Sequence, residues 1–339
     1  MCLSLTSVCI QEMQPFSDHL VVYERENGLP KISIYCLPPI GEPLDTLRGG
    51  RTVNFIDPVY SVDSSESQFY SSILRFFYSS MRTPSSVYDY DMNSGTLVLK
   101  KIDAVFGGFD SANYITQRVW ATATDGTQTP ISVVYRKDLV KLDGSDPLIL
   151  YGYGSYEICV DPYFKESRLS LLDRGFIFAV AHIRGGVKWG DHGNKYCSTE
   201  KLCIERRSAG GLLIGAVINM RPDLFKAAVA GVPLVDVLTT MLDPTIPLTT
   251  SEWEEWSDPR KEEFYFYMRS YSPVDNIHGS YSEAAKFVAK LREMKTDDNM
   301  NLVPDIFQNL DGKNVKSFEC FPKICIFLYL STILFFLKN

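Results

Sequence analysis

The chain has 339 residues, 45% hydrophobic and 22% charged, which is the balance of a soluble globular protein with room for two or three domains. A net charge of −7 supplies no global basic field and so excludes partners held by one, nucleic acid first among them. Eight cysteines, at positions 2, 9, 36, 159, 197, 203, 320 and 325, form no CxxC pair. That scatter argues against a metal site or a disulfide scaffold and for reduced, mostly buried thiols of a cytoplasmic protein. Neither a metal nor any other cofactor is expected, and Met1–Met13 lacks the basic start of a signal peptide.

In chain order, the first hundred residues read as strands and turns. His19–Glu24 and Lys31–Leu37 flank the turn signal Asn27-Gly28-Leu29-Pro30. Ser72–Phe77 and Ser86–Tyr90 follow, and Asn93-Ser94-Gly95 turns into Thr96–Lys100. Short strands at this spacing suggest a sandwich or propeller blades, about two of them at roughly 40–50 residues per blade. Ala104–Asn113 reads as a connector, and Arg118–Thr124 with Gln128–Tyr135 as a hairpin around Asp125-Gly126.

Continuous apolar runs come next: Pro147–Tyr151, Phe176–His182, Leu202–Glu205 and Ala227–Val232. Runs of this kind mark parallel strands buried on both faces. Leu212–Met220, closed by Arg221-Pro222, reads as a helix, and so does Ser282–Met294, which keeps Ala284, Phe287, Val288 and Leu291 on one face. Strand–helix alternation predicts an α/β domain. The stretch from Ile183 to Lys201 is glycine-rich without a helical stripe, although a parallel crossover usually holds a helix. Either the strands on its two sides are not neighbours, or a crossover helix is missing; the second is expected. Ile324–Leu337 is an uncharged apolar run, shorter than the roughly 20 residues a spanning helix needs. It reads as an unrelated hydrophobic tail, with a short membrane anchor as the alternative.

Chemistry concentrates where Leu202–Glu205 runs through Arg206-Arg207 into Ser208-Ala209-Gly210-Gly211 and a helix. Strand, sharp turn bearing Ser, then helix is the arrangement of a nucleophile elbow, with the Ala209 N–H able to face an oxyanion. Residues two before and two after the Ser should be small. Gly210 satisfies this and Arg206 does not. A serine that merely caps the helix explains the local pattern about as well.

Longer motifs surround this one. Tyr151-Gly152-Tyr153-Gly154-Ser155-Tyr156 follows the first buried strand, and Ala181-His182-Ile183-Arg184-Gly185-Gly186 follows the second. Together with Lys201–Gly231, they resemble the prolyl oligopeptidase family of serine peptidases, in which a β-propeller caps an α/β-hydrolase domain. Leu248–Pro259 is similar to the oligopeptidase B branch. The likeness runs with interruptions from about Val21 to Asn299. It implies a partial propeller over 1–103, a connector over 104–114, an incomplete α/β-hydrolase domain over 115–299 and an unrelated tail over 300–339.

Position by position, the resemblance implies Ser208 as nucleophile and Ala209 N–H with the Tyr153 hydroxyl as oxyanion donors. It implies Glu252 and Glu254 as the acidic pair for a Lys or Arg side chain of a peptide substrate. Read without it, Tyr153 can be a core tyrosine and Glu252–Asp258 a solvated acidic loop. A serine nucleophile also needs a base and an orienting carboxylate, in the order Ser, Asp, His in this fold. Only His278 follows Ser208, and it directly precedes the helix at Ser282, where the resemblance implies that the strand and loop carrying the Asp are deleted. Asp275, Asp297 and Asp298 match positions that are not catalytic. Three functions therefore stand open: a serine oligopeptidase, a non-catalytic remnant acting as an interaction module, and a tail-anchored membrane protein.

Overall fold

The computed structural model describes residues 8–276 except 40–41, 43–47, 124–125, 127, 154, 157, 183–195, 222–223 and 232, together with the backbone of three short strands further on. Two compact units result. One takes in Met1–Val140, Cys159–His182 and Val187–Gly190, and the other Lys141–Ile158, Ile183–Gly186 and Asp191–Asn339.

The first unit opens with two four-stranded antiparallel sheets. One is β1 (Cys9–Pro15), β2 (His19–Glu26), β3 (Leu29–Cys36) and β4 (Arg48–Thr52), in that order. The other is β5 (Tyr60–Ser64), β6 (Ile73–Ser80), β7 (Ser86–Asp91) and β8 (Thr96–Ile102). These are the two blades that the strand spacing predicts. Period-two alternation places Leu74, Phe76 and Tyr78 inward from β6, where they join Val21, Tyr23, Ile32 and Ile34 in a core shared by both sheets. Aromatic rings fill it: Phe55 stacks on Tyr78 at 5.2 Å and meets Phe76 edge-on at 5.8 Å. The same unit holds the predicted hairpin, β9 (Tyr114–Thr122) with β10 (Gln128–Arg136), then α1 (Glu166–Leu172) and β12 (Ile177–Ala181). β12 is buried throughout, as its unbroken apolar run predicts, and pairs with β10 antiparallel.

The second unit is built on parallel strands. β13 (Leu202–Arg207) has β11 (Leu148–Gly152) on one side and β14 (Ala227–Gly231) on the other, parallel to both. Both edges of β13 are thus taken by strands other than the one preceding it in sequence. The strands on the two sides of the glycine-rich stretch are therefore not neighbours in the sheet. Residues 183–195 themselves lie outside the described residues.

α2 (Ala209–Met220) follows β13, as predicted, and ends at Arg221. Three further helices stand where no helix is predicted: α3 (Val237–Leu242), α4 (Thr249–Trp256) and α5 (Glu262–Tyr271). They pack Leu212, Val237, Leu238, Met241 and Met268 into a second core. The helix expected at Ser282–Met294 lies outside the described residues, as do His278, Asp297 and Asp298. Within the tail, β15 (Pro304–Ile306), β16 (Ile326–Leu328) and β17 (Ile333–Leu337) are described by backbone alone, β17 pairing antiparallel with β14. No helix among the described residues is long and apolar enough to cross a membrane.

The cysteines depart from expectation. Five are described, none of them in a disulfide, but only Cys197 is buried, whereas Cys36 and Cys159 are exposed. Cys36 ends a strand and Cys159 lies in a loop, positions that sequence spacing does not distinguish from core ones.

Candidate active site

β11 and β13 run side by side, Leu148 opposite Leu202 and Tyr151 opposite Glu205, so the residues after each strand emerge at the same end of the sheet. Carboxyl ends of parallel strands are where α/β sheets place their chemistry. Tyr153 follows β11 there, and Ser208 follows β13.

Ser208 sits between β13 and α2 with φ 58° and ψ −131°. A non-glycine residue held in that region costs about 1–3 kcal/mol and persists only where its surroundings fix it. Here its N–H donates to the Gly231 carbonyl at 2.8 Å, and its own carbonyl accepts from Gly211 N at 2.7 Å. The residue is exposed, and its side chain makes no helix-capping hydrogen bond. The capping explanation therefore fails, and the turn displays the hydroxyl, as an elbow does. Ala209 is the first residue of α2, and its N–H belongs to the first turn, which has no intrahelical acceptor.

Arg206 is accommodated instead of expelled. A Cβ built on Gly210 would lie 1.8 Å from Arg206 Cγ and 2.9 Å from its Cδ, so the arginine stem fills the space that the missing side chain leaves. The guanidinium lies over two rings, 4.4 Å from the centre of Tyr151 and 4.2 Å from that of Tyr153. Its Nε is buried without a hydrogen-bond partner. Tyr153 is buried at 9% exposure. Burial raises the pKa of its hydroxyl, Glu252 and Glu255 push it the same way, and Arg206 opposes them. Tyr153 thus satisfies the core reading while standing among the charged groups of the site.

The acidic segment is helical, not a loop. Glu252 and Glu254, two apart on α4, do not share a face. Glu252 is half-buried and accepts from the Tyr156 hydroxyl at 2.6 Å and from Trp256 Nε1 at 3.0 Å, whereas Glu254 is exposed. The residue on the face of Glu252 is Glu255, whose carboxylate accepts from Tyr156 N–H at 2.5 Å. Tyr156, itself at φ 57°, holds both acids, and its hydroxyl is pushed up to about 12 by burial and by its bond to Glu252. The motif thus points to Glu252 but misses Glu255, Tyr156 and Trp256. Helical spacing of three between the two acids was the available signal.

No histidine is described in the unit that carries Ser208, since His192 and His278 both lie outside the described residues. Asp275 accepts from the Ser272 hydroxyl at 2.5 Å, just beyond the end of α5. Asp236 is spent on the N-terminus of α3, accepting from Thr239 N–H. Among the described residues no three metal-ligating side chains cluster.

A strained serine between a buried strand and a helix, at the carboxyl end of a parallel sheet, defines the class of α/β-hydrolase elbows. The comparisons narrow it. The prolyl oligopeptidase family model matches residues 191–305, and the model of that family's N-terminal β-propeller domain matches residues 5–103. The chain is 38% identical to Protease 2 of Moraxella lacunata over 86% of its own length and 47% of that protein, and 36% identical to dipeptidyl aminopeptidase BI of Pseudoxanthomonas mexicana over 85% and 44%. Oligopeptidase B from Leishmania major superposes with a TM-score of 0.73 at 40% identity, covering 87% of this chain and 47% of that one. The chain belongs to the prolyl oligopeptidase family of serine peptidases, on its oligopeptidase B-like branch. It spans about half the length of the relatives it matches.

Proposed function

We propose that this chain carries the acylating part of a serine peptidase that takes peptides with a Lys or Arg side chain before the reacting bond. Ser208 is the nucleophile, Ala209 N–H and the Tyr153 hydroxyl are the oxyanion donors, and Glu252 receives the basic side chain. One observation carries the reading: Ser208, an exposed residue, is held at positive φ and its hydroxyl is not used by the helix. Charge supports the substrate class, because a half-buried carboxylate recognises a guanidinium through charge-assisted hydrogen bonds. The lack of a disulfide among the described cysteines suits a cytoplasmic setting, where thiols stay reduced.

A second reading is favoured by Arg206. Its stem fills the elbow and its guanidinium covers Tyr153, while no imidazole is described beside Ser208. A site with a displayed but unactivated serine binds peptides without turning them over. A fluorophosphonate active-site probe separates the two. Stoichiometric labelling that disappears in Ser208→Ala supports the acylating site. A folded chain that resists the probe yet binds an arginyl peptide assigns the binding module. The tail-anchor reading is tested by carbonate extraction of membranes with and without residues 324–337; release of the intact chain by carbonate rejects it.

A further inference from the structure

Away from the elbow, the first unit buries side-chain nitrogens that no hydrogen-bond acceptor meets. Nε of Arg25, Nε of Arg118 and Nδ1 of His182 are all buried without a hydrogen-bond partner. They belong to one neighbourhood, around the turn between β2 and β3. Arg118 donates through Nη2 to the Asn27 carbonyl, and Arg25 through Nη1 to the Gly28 carbonyl at 3.0 Å. A Cβ on Gly28, which turns at φ 79°, would lie 3.9 Å from both Arg118 Nη2 and His182 Cβ.

The two arginines differ in their company. Asp161 grips both η nitrogens of Arg25, at 2.7 and 3.0 Å. Arg118 lies 5.0 Å from the Trp120 ring and meets no carboxylate among the described residues. His182 is 7% exposed, and its Nε2 is 2.7 Å from the hydroxyl of fully buried Ser132. With the serine donating to Nε2, Nδ1 carries the proton and lacks an acceptor. A buried water can satisfy open nitrogens but leaves the guanidinium charge uncompensated. An oxyanion does both, and the guanidinium fork matches its geometry.

We propose that Arg118 and His182, beside the Asn27-Gly28 turn, bind a small oxyanion of the phosphate or carboxylate class. The electrostatics agree. Burial lowers the pKa of Arg118, and burial together with Arg118 and Arg25 drives that of His182 down to about 3. A bound anion relieves both groups. The site is independent of the peptidase reading.

The test is a titration of the full chain with sodium phosphate, and separately with sodium acetate, at ionic strength held constant with sodium chloride. Long-range proton–nitrogen NMR follows the His182 imidazole, assigned by its loss in His182→Gln. The expected result is a saturable shift that weakens about tenfold or more in Arg118→Met, as loss of a charge-assisted bond does. Should that variant not fold, Arg118→Lys, which keeps the charge but not the fork, is expected to weaken binding severalfold. Saturation by phosphate alone assigns the phosphate class, and saturation by acetate assigns the carboxylate class. No saturable shift with either anion, or wild-type saturation in a folded Arg118 variant, overturns the proposal.

Discussion

The two blades and the elbow are packed by opposite rules. In the blades each inward residue alternates with an outward one, and large rings such as Phe76 and Tyr78 fill a wide space between sheets. At the elbow strand and helix nearly touch, and the space is so small that Arg206 fits only because residue 210 has no side chain. The first kind of packing tolerates exchange among apolar residues of similar volume. The second tolerates almost none, because it is set by backbone approach. A region can thus be densely packed and still be chemically generous, or open to solvent and chemically strict.

Removing a ring and adding a methyl should break the two regions in different ways. The largest effect is expected for Phe76→Ala, at about 3–5 kcal/mol of unfolding free energy by denaturant titration, because Phe76 is fully buried among other rings. Gly210→Ala should cost about 1–3 kcal/mol, and in the Arg206→Gly background the cost should largely vanish. An undiminished cost in the double mutant would show that the crowding comes from the backbone and not from Arg206.

A third measurement sets the buried charge of the first unit against both. Burial disfavours the imidazolium of His182 and pushes its pKa down from the ordinary 6.5 to about 3. A depressed histidine contributes its full stability above pH 6.5 and loses it as pH falls toward 3, on the order of a kcal/mol per pH unit. His182→Gln should therefore be less sensitive to acid than wild type in that window, by thermal denaturation across pH. Equal acid sensitivity would mean that His182 is already charged in the folded chain. The smallest effect separates the acids of α4. Glu252→Gln should weaken an arginyl peptide about tenfold by calorimetry, whereas Glu254→Gln should leave its affinity within about twofold.

Much of this was legible in the residues. Period-two alternation between turn signals reveals the blades, and the run from Leu202 to Gly211 reveals the elbow, since each is a local pattern. The α3–α5 region was not legible. Thr249–Trp256 is mostly polar, so its helical period carries no apolar stripe, and it is entered through Leu248 at φ 75°. Nor could sequence show that Tyr156 gathers Glu252 and Glu255 from 96 and 99 residues away. The resemblance to oligopeptidase B supplied Glu252 and, with it, a partner two residues on that the helix turns outward. Arg206 stands out in the sequence as a large residue where a small one is expected, but its resting place over Tyr151 and Tyr153 depends on the register of two strands.

The interlock of Arg206 with Gly210 also constrains how this sequence can drift. While the arginine is present, its stem claims the space where any side chain at 210 would have to begin. The glycine cannot change first. A lineage leaving this state has to lose the arginine before position 210 is free to vary, so the two sites form a ratchet with a fixed order of release. Wherever else in the chain substitutions accumulate, this pair should be among the last places to change.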